Sequence, residues 1–331
     1  MKPLVFSGVQ PTGNLHLGNY LGAVKRFVEL QATHECIYCV VDLHAITVPQ
    51  DPKELVAQIR EVTAAFLAAG IDPKKSIVFN QSRVAGHAEL TWVFNCVARL
   101  GWLNRMTQFK EKAGKDRENA SIGLYDYPVL MAADILVYRA THVPVGDDQK
   151  QHVELTRDLA DRFNSRYGTA FTVPMPVIQK ETARIYDLQN PTAKMSKSAE
   201  SDAGVLWLLD DPAVSAKKIM RAVTDSEGAV RYDRENKPGV SNLLVIYAAL
   251  TGRQIPAIED EYAGRGYGDF KRGLAEVVVN EFGPVRQRAL ELLSDPAELD
   301  RVLATNADRA AEVADATLAD VYAKVGLLRR G

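Results

Sequence analysis

The chain has little of what would mark a secreted, membrane-bound or fibrous protein. Only three cysteines, Cys36, Cys39 and Cys96, stand among its 331 residues. An odd number cannot all pair, and a chain of this length buries a sizeable core without disulfide staples. The expectation is a reducing, cytoplasmic compartment. No stretch reaches the roughly 18 uncharged apolar residues that span a membrane. The opening "MKPLVFSGVQ" is broken by Gly8, Gln10 and Pro11 too early for a secretory h-region. Charge of one sign is also missing, since 40 Lys and Arg face 42 Asp and Glu for a net charge of -2. That removes the global basic excess of many nucleic-acid binders, yet a local basic surface suffices to contact phosphates. No internal repeat or low-complexity segment is present. What remains is 47% hydrophobic and 25% charged, an ordinary globular composition, and the length suggests two domains.

Through the first half, short β-rich runs alternate with longer helical patterns, which predicts βαβ units around a parallel sheet. "PLVFSGV" reads as the first strand and "LGNYLGAVKRFVELQ" as its helix. "CIYCVVDLHAI" reads as the second strand, followed by the helix "DPKELVAQIREVTAAFLAAG" with Pro at its start and Gly70 at its end. "SIVFNQS" is a third strand before the helix "AELTWVFNCVARL". "THVPVG" is a short fourth strand feeding the helix "QKQHVELTRDLADRFNSRYG".

From about Val205 strand signals nearly vanish. In the last helical pattern Ala310, Ala314, Leu318, Val321, Val325 and Leu328 recur at threes and fours, on one face. The polar stretch 222–242 reads as a loop-rich connection. The expected fold class is α/β: a Rossmann-like parallel-sheet domain over 1–204, then an all-helical domain over 205–331 whose last helices can pack back on the first.

Two stretches carry candidate chemistry. The turn in "VFSGVQPTGNLHLGN" joins a strand to a helix start, in outline the arrangement whose free N–H groups favour anions. It matches neither G-x-x-x-x-G-K-[ST] nor G-x-G-x-x-G. A well-capped βα turn with no ligand accounts for it equally. His16 and Asn19, three apart at the helix start, lie on one face and can donate to phosphate oxygens, while Gly18 between them would let a ligand lie against the backbone. The second stretch, "PTAKMSKSAES" at 191–201, sets two lysines three apart among small and hydroxylated side chains. It reads as a solvated loop, or as one that closes over a polyphosphate and stabilises developing charge.

"HLGN" (His16 to Asn19) resembles the first signature of the class I aminoacyl-tRNA synthetases, and "KMSKS" (Lys194 to Ser198) matches the second in full. "MAADIL" (Met131 to Leu136), "VPVGDDQKQHVELTRDLA" (Val143 to Ala160), "NRMTQFKEK" (Asn104 to Lys112), "AVTDSEG" (Ala222 to Gly228) and "GYGDFK" (Gly266 to Lys271) are similar to the bacterial tryptophanyl branch of that family. Asn19 stands where many class I enzymes carry a second His, as is common in this branch, and it leaves His16 the only imidazole of the motif.

The resemblance implies a ligase that joins ATP and tryptophan into an adenylate with release of pyrophosphate, then charges tRNA(Trp). It implies ATP with Mg²⁺ as substrate, no tightly held protein-ligated metal, a homodimer and no membrane. By family position Gln10, Pro11, Thr12, Gly18 and Asn19 line the ATP site, with Gly146, Asp147, Asp148 and Gln149 beyond the fourth strand and Ile185 near the adenine. His16 meets the phosphates with Asn19, and Lys194, Met195, Ser196, Lys197 and Ser198 engage the triphosphate. Asp134 interrupts an apolar stretch, so it must be paired or functional; in the matching position its carboxylate accepts the indole N–H. Phe6, Gly8, Val41, His44, Met131, Val143, Val145 and Gln149 complete the tryptophan pocket, and by residue type alone the apolar ones would serve equally as core. Arg221, Arg231, Arg234, Lys271 and Arg272 are candidates for tRNA phosphates, and the apolar 128–138 helix is a candidate for the dimer interface. Cys36 and Cys39, three apart on a strand, face opposite sides and read as structural.

Overall fold

The computed structural model describes residues 2–11, 13–107, 117–146, 149–178, 184–197 and 201–328. Its centre is a five-stranded sheet of β1 (Leu4–Val9), β2 (Glu35–Val40), β3 (Ile77–Asn80), β4 (His142–Val145) and β5 (Met175–Ile178). The order is β3-β2-β1-β4-β5, with every pairing parallel. This is the Rossmann-like α/β sheet expected from the alternating pattern, and β5 adds a strand that the pattern did not reveal. Pro174 precedes β5 and Pro176 lies within it, which is tolerated because an edge strand needs fewer N–H donors.

Helices cover both faces. α1 (Leu17–Asn19) runs through a π-helical turn (Tyr20–Val24) into α2 (Lys25–Leu30). α3 (Asp42–Ala45) and α4 (Pro52–Ala68) follow β2, and the Asp51 carboxylate caps α4 by accepting from the Lys53 and Glu54 N–H groups. α5 (Gly86–Asn95), α6 (Leu100–Leu103) and α7 (Ile122–Leu136) lie between β3 and β4, and α8 (Lys150–Tyr167) between β4 and β5. The remainder is helical: α9 (Pro212–Met220), α10 (Pro238–Thr251), α11 (Ile255–Glu261), α12 (Gly266–Leu293) and α13 (Pro296–Val325).

The sheet divides the apolar interior in two. Val5, Cys36, Tyr38 and Val40 face a cluster shared with α2, α4, α10 and α12. Phe6, Ile37, Cys39 and Phe79 face a cluster shared with α5, α7, α8 and α13. Cys36 and Cys39 thus lie on opposite faces, both buried and unpaired by disulfide, as strand alternation requires. α13 enters the second cluster through Ala307, Ala310, Ala314, Leu318 and Val321, so the last helix lies on the sheet.

Three expectations need correction. The second strand stops at Val40 instead of running to Ile46, because the Asp42 carboxylate accepts from the Ser82 N–H and from Asn80 Nδ2, both at 2.8 Å, and turns the chain into α3. Residues 238–242 belong to α10, which opens with Pro238 at its first position. Leu328 does not join the apolar face of α13. That helix ends at Val325 before the left-handed Gly326, and Leu328 is 99% exposed. Among the described residues no helix is long and apolar enough to cross a membrane.

Candidate active site

The strand order reverses between β1 and β4, and ligands of open α/β sheets bind beyond the carboxyl ends of the strands at that point. Gln10 and Gly146 are exposed there, Pro11 is buried, and Gln149 is half-buried before α8. Thr12, Asp147, Asp148 and Ser198 lie outside the described residues, as does "NRMTQFKEK" from Gln108 onward.

His16 is the N-cap of α1. Its Nδ1 accepts from the Asn19 backbone N–H at 3.3 Å, and the Asn19 side-chain oxygen accepts from the His16 N–H at 3.3 Å. This reciprocal cap decides what each side chain offers a ligand. With Nδ1 accepting, the His16 proton sits on Nε2, and with its oxygen engaged, Asn19 is left its NH₂ to donate. Burial, then the charges of Lys197 and Lys194, hold the His16 pKa down at about 4. The imidazole is therefore a neutral donor throughout the physiological range. Gly18 also gives the neighbouring imidazole room. A Cβ there would lie 2.9 Å from His16 Cε1, so the close neighbour is the imidazole itself.

The first signature is tied by backbone to the segment that follows the second. Leu17 N–H donates to Leu206 O and Leu208 N–H to Leu15 O, both at 2.8 Å, and His16 pairs with Trp207 across this bridge, rings 6.1 Å apart. Lys197 Nζ donates to Gly13 O at 3.0 Å, which brings the lysine of one signature onto the turn of the other. Lys194 is exposed, Ser196 and Lys197 half-buried. Ile185 and Met195 are joined by a 3.0 Å backbone bond and bury both side chains in the core.

Burial pulls the Lys197 ammonium down to about 8, against the opposing charge of Glu61. Below pH 8 the free protein carries the cation that an anionic ligand needs, and above it the cation is lost. For the ATP-dependent activity that the two signatures imply, the expected result is a kcat/KM that falls as pH rises through about 8, approaching tenfold per unit, because kcat/KM reports ionisations of the free protein. A rate profile from pH 6 to 10 checks this, and Lys197→Arg should remove the fall because guanidinium stays charged.

The second half of the site surrounds Asp134, 1% exposed inside α7. Its Oδ2 accepts from His44 Nε2 at 2.7 Å, and its Oδ1 from Gln81 Nε2 at 2.6 Å and His87 Nδ1 at 2.7 Å. Burial alone would raise its pKa, but the two imidazoles outweigh it and hold the carboxylate at about 2. Asp134 is thus a buried anion, satisfied on three sides. Phe6, Val41, Val143 and Val145 are buried in one apolar cluster with Met131 packed against it. Gly8 shares the Phe6 face of β1 yet is exposed, so an opening reaches the central strand there. A Cβ on Gly8 would stand 2.8 Å from Val41 Cγ1.

The structure brings together His16, Asn19 and Lys197 on one side, and Phe6, Val41, His44, Met131, Asp134, Val143 and Val145 on the other. Sequence reading missed Gln81 and His87. The available signal was a Gln just past a strand end and a His in an otherwise apolar helix. It also missed the Leu206–Leu208 bridge, for which no local signal exists.

The candidate phosphate contacts fare unevenly. Lys271 is buried and donates to Ala222 O at 2.7 Å, so it holds the 222–224 turn and is unavailable to a phosphate. Arg231 is ion-paired with Glu227 and Asp233, and Arg272 with Asp269, while Arg234 lies over the Tyr186 ring at 4.9 Å. Arg221 is exposed. The 128–138 segment is largely buried within the subunit, which rules out most of it as an interface; the exposed large apolar side chains nearby are Trp92, Leu100 and Ile122.

The family model described as tRNA synthetases class I (W and Y) matches residues 2–283. A tryptophan–tRNA ligase of Leifsonia xyli subsp. xyli is 60% identical over 330 residues, covering 99% of this chain and 98% of that protein. Among solved structures, tryptophanyl-tRNA synthetase from Mycoplasma pneumoniae superimposes with a TM-score of 0.89 at 36% identity, covering 99% of each chain. The enzyme from Campylobacter jejuni, solved with ADP and tryptophan, gives 0.84 at 36% identity over 98% of this chain and all of that one.

Proposed function

Because the chain belongs to the class I tRNA synthetases of the tryptophan and tyrosine group, we propose a division of labour within its site. The activity is tryptophan–tRNA ligation: L-tryptophan and ATP give tryptophanyl-adenylate and pyrophosphate, and the tryptophanyl group then passes to tRNA(Trp) for protein synthesis. The tryptophan carboxylate attacks the α-phosphorus, a new O–P bond forms, and the bond to the β-phosphate oxygen breaks. No protein nucleophile is required, so catalysis is positioning and charge stabilisation.

His16 Nε2–H, the Asn19 NH₂ and the Lys197 ammonium would donate to the phosphates, and Lys194 would join them from the exposed edge. Gln10, Pro11, Thr12, Gly18, Gly146, Asp147, Asp148 and Gln149 would line the nucleotide. The backbone around Ile185, Met195 and Ser196 would frame its edge, with Ser198 beyond. Mg²⁺ would enter with ATP, bound to its phosphates. Asp134 would accept the indole N–H, within walls of Phe6, Gly8, Val41, His44, Met131, Val143 and Val145.

The observation that carries this reading is Asp134: a buried carboxylate with about four acceptor positions, three of them filled. One position remains for a ligand donor, and indole carries one N–H. ATP–pyrophosphate exchange with each of the twenty amino acids tests it. Exchange dependent on tryptophan is expected, and exchange with tyrosine but none with tryptophan would overturn it.

We extend the proposal to a homodimer acting in the cytoplasm, with the helical part from 205 onward contacting tRNA. Trp92, Leu100 and Ile122 form the face that a second copy would cover. They are 71%, 73% and 85% exposed and sit on segments tied by Asn95–Asp126 and Tyr125–Leu100 hydrogen bonds. Sedimentation equilibrium should return about twice the 36.5 kDa chain mass.

A further inference from the structure

Gln81, His87 and Tyr138 are buried polar groups to which the reaction assigns no role. They converge on Asp134, Gln81 directly and Tyr138 through His87. His87 is fully buried, and while its Nδ1 lies 2.7 Å from Asp134 Oδ1, its Nε2 lies 2.8 Å from the Tyr138 hydroxyl. Tyr138 is equally buried. Its ring is held by stacking on Phe6, 5.6 Å and 14°, and by edge contact with Phe79, 6.0 Å and 72°.

A neutral imidazole has one N–H and one lone pair. With the Tyr138 O–H donating to Nε2, the proton sits on Nδ1 and points at the carboxylate. With the proton on Nε2 instead, a nitrogen lone pair would face a carboxylate oxygen across 2.7 Å. The carboxylate, which only accepts, thus fixes the proton on Nδ1, and the Tyr138 hydroxyl completes the arrangement by donating to Nε2. The consequence falls on the oxygens of Asp134. Oδ1 accepts from both Gln81 and His87 and is full, while Oδ2 accepts from His44 alone.

We propose that His87, held in that tautomer between Asp134 and Tyr138, is a positioning residue for amino-acid selection: it fills Oδ1 so that Asp134 offers a single acceptor, on Oδ2, to a ligand N–H. This rests on the tryptophan reading of the pocket. The titratable groups around Asp134 are His44 from α3, His87 from α5, Cys39 from β2 and Tyr138 beyond α7, with Asp42 acting on Cys39. Burial raises Cys39 and Tyr138 well above their usual values, so both stay neutral at working pH.

The test is ATP–pyrophosphate exchange with tryptophan and with β-(benzothiophen-3-yl)alanine, which keeps the bicyclic outline but has sulfur in place of N–H. Wild type should prefer tryptophan by about a hundredfold or more in kcat/KM, since a site built for a donor rejects its isostere. Tyr138→Phe removes one oxygen, the one bonded to His87, and keeps the ring that stacks on Phe6. It should cut that preference about tenfold, through KM for tryptophan with kcat nearly unchanged. His87→Leu should cut it further and make KM rise as pH falls from 7 to 5, because a carboxylate that has lost a donor takes up a proton more readily. The wild-type KM should rise less over that range. His87→Asn puts an amide N–H where Nδ1–H was and should restore most of the preference.

Unchanged preference in Tyr138→Phe and His87→Leu, or no recovery in His87→Asn, overturns the role. If His87→Leu does not fold, Tyr138→Phe decides alone. Wild type that shows no exchange with tryptophan refutes the tryptophan reading itself. Wild type that exchanges normally beside variants of unaltered preference refutes only the role of His87.

Discussion

Replacing Lys197 by alanine is expected to slow tryptophanyl-adenylate formation by about 10²–10³-fold, the range for removing one preorganised group aimed at developing phosphate charge. Tryptophan affinity should stay within about twofold, because Lys197 acts on the phosphate side of the site while the indole N–H is met by Asp134. Its ammonium donates to Gly13 O at 3.0 Å, and its charge acts on His16 and Glu61. Single-turnover adenylate formation beside equilibrium tryptophan binding separates the two effects. Equal losses in both would mean that the 194–197 stretch only supports the fold.

Asp134→Asn is the second large effect, and the geometry makes it harsher than loss of a charge. Asparagine keeps one oxygen and replaces the other with NH₂. If the oxygen stays toward Gln81 and His87, the NH₂ meets His44 and the ligand N–H, which are donors. If the side chain flips, the NH₂ faces Gln81 and His87, which also donate. Either way a donor is left unmatched in a buried site. KM for tryptophan should rise about 10²-fold with the preference over phenylalanine reduced. The folded state should lose roughly 1–3 kcal/mol, seen as a fall of a few degrees in Tm. Unaltered selection in the variant would remove Asp134 from the role.

The parallel sheet was legible because buried strands read as runs such as "VFSGV" and "CIYCVV", each followed by a helical period. β5 was not, since its prolines mark an edge strand and look like a loop. The end of β2 was hidden for another reason: Asp42 turns the chain by bonding residues from the end of β3, about forty positions later. Asp134 stood out as a charge in an apolar stretch, but its partners did not. His44 is 90 positions away and His87 is 47, and each looks locally like an ordinary helix residue. Lys271 misled in the opposite sense. A lysine on a helix normally reads as solvated, whereas this one donates to the backbone of a turn 49 positions earlier. The recurring cause is long-range hydrogen bonding, which periodicity does not encode.

On the proposed division of labour, phosphate chemistry and side-chain selection lie on separable groups of one crevice. That division is tested most directly by measuring tryptophan Kd and single-turnover adenylate rate together in wild type, Lys197→Ala and Asp134→Asn. The predicted result is a crossed pattern: Lys197→Ala loses rate at an unchanged Kd, and Asp134→Asn loses affinity while tyrosine remains unreactive. Two variants that lose rate and affinity in the same proportion would contradict it.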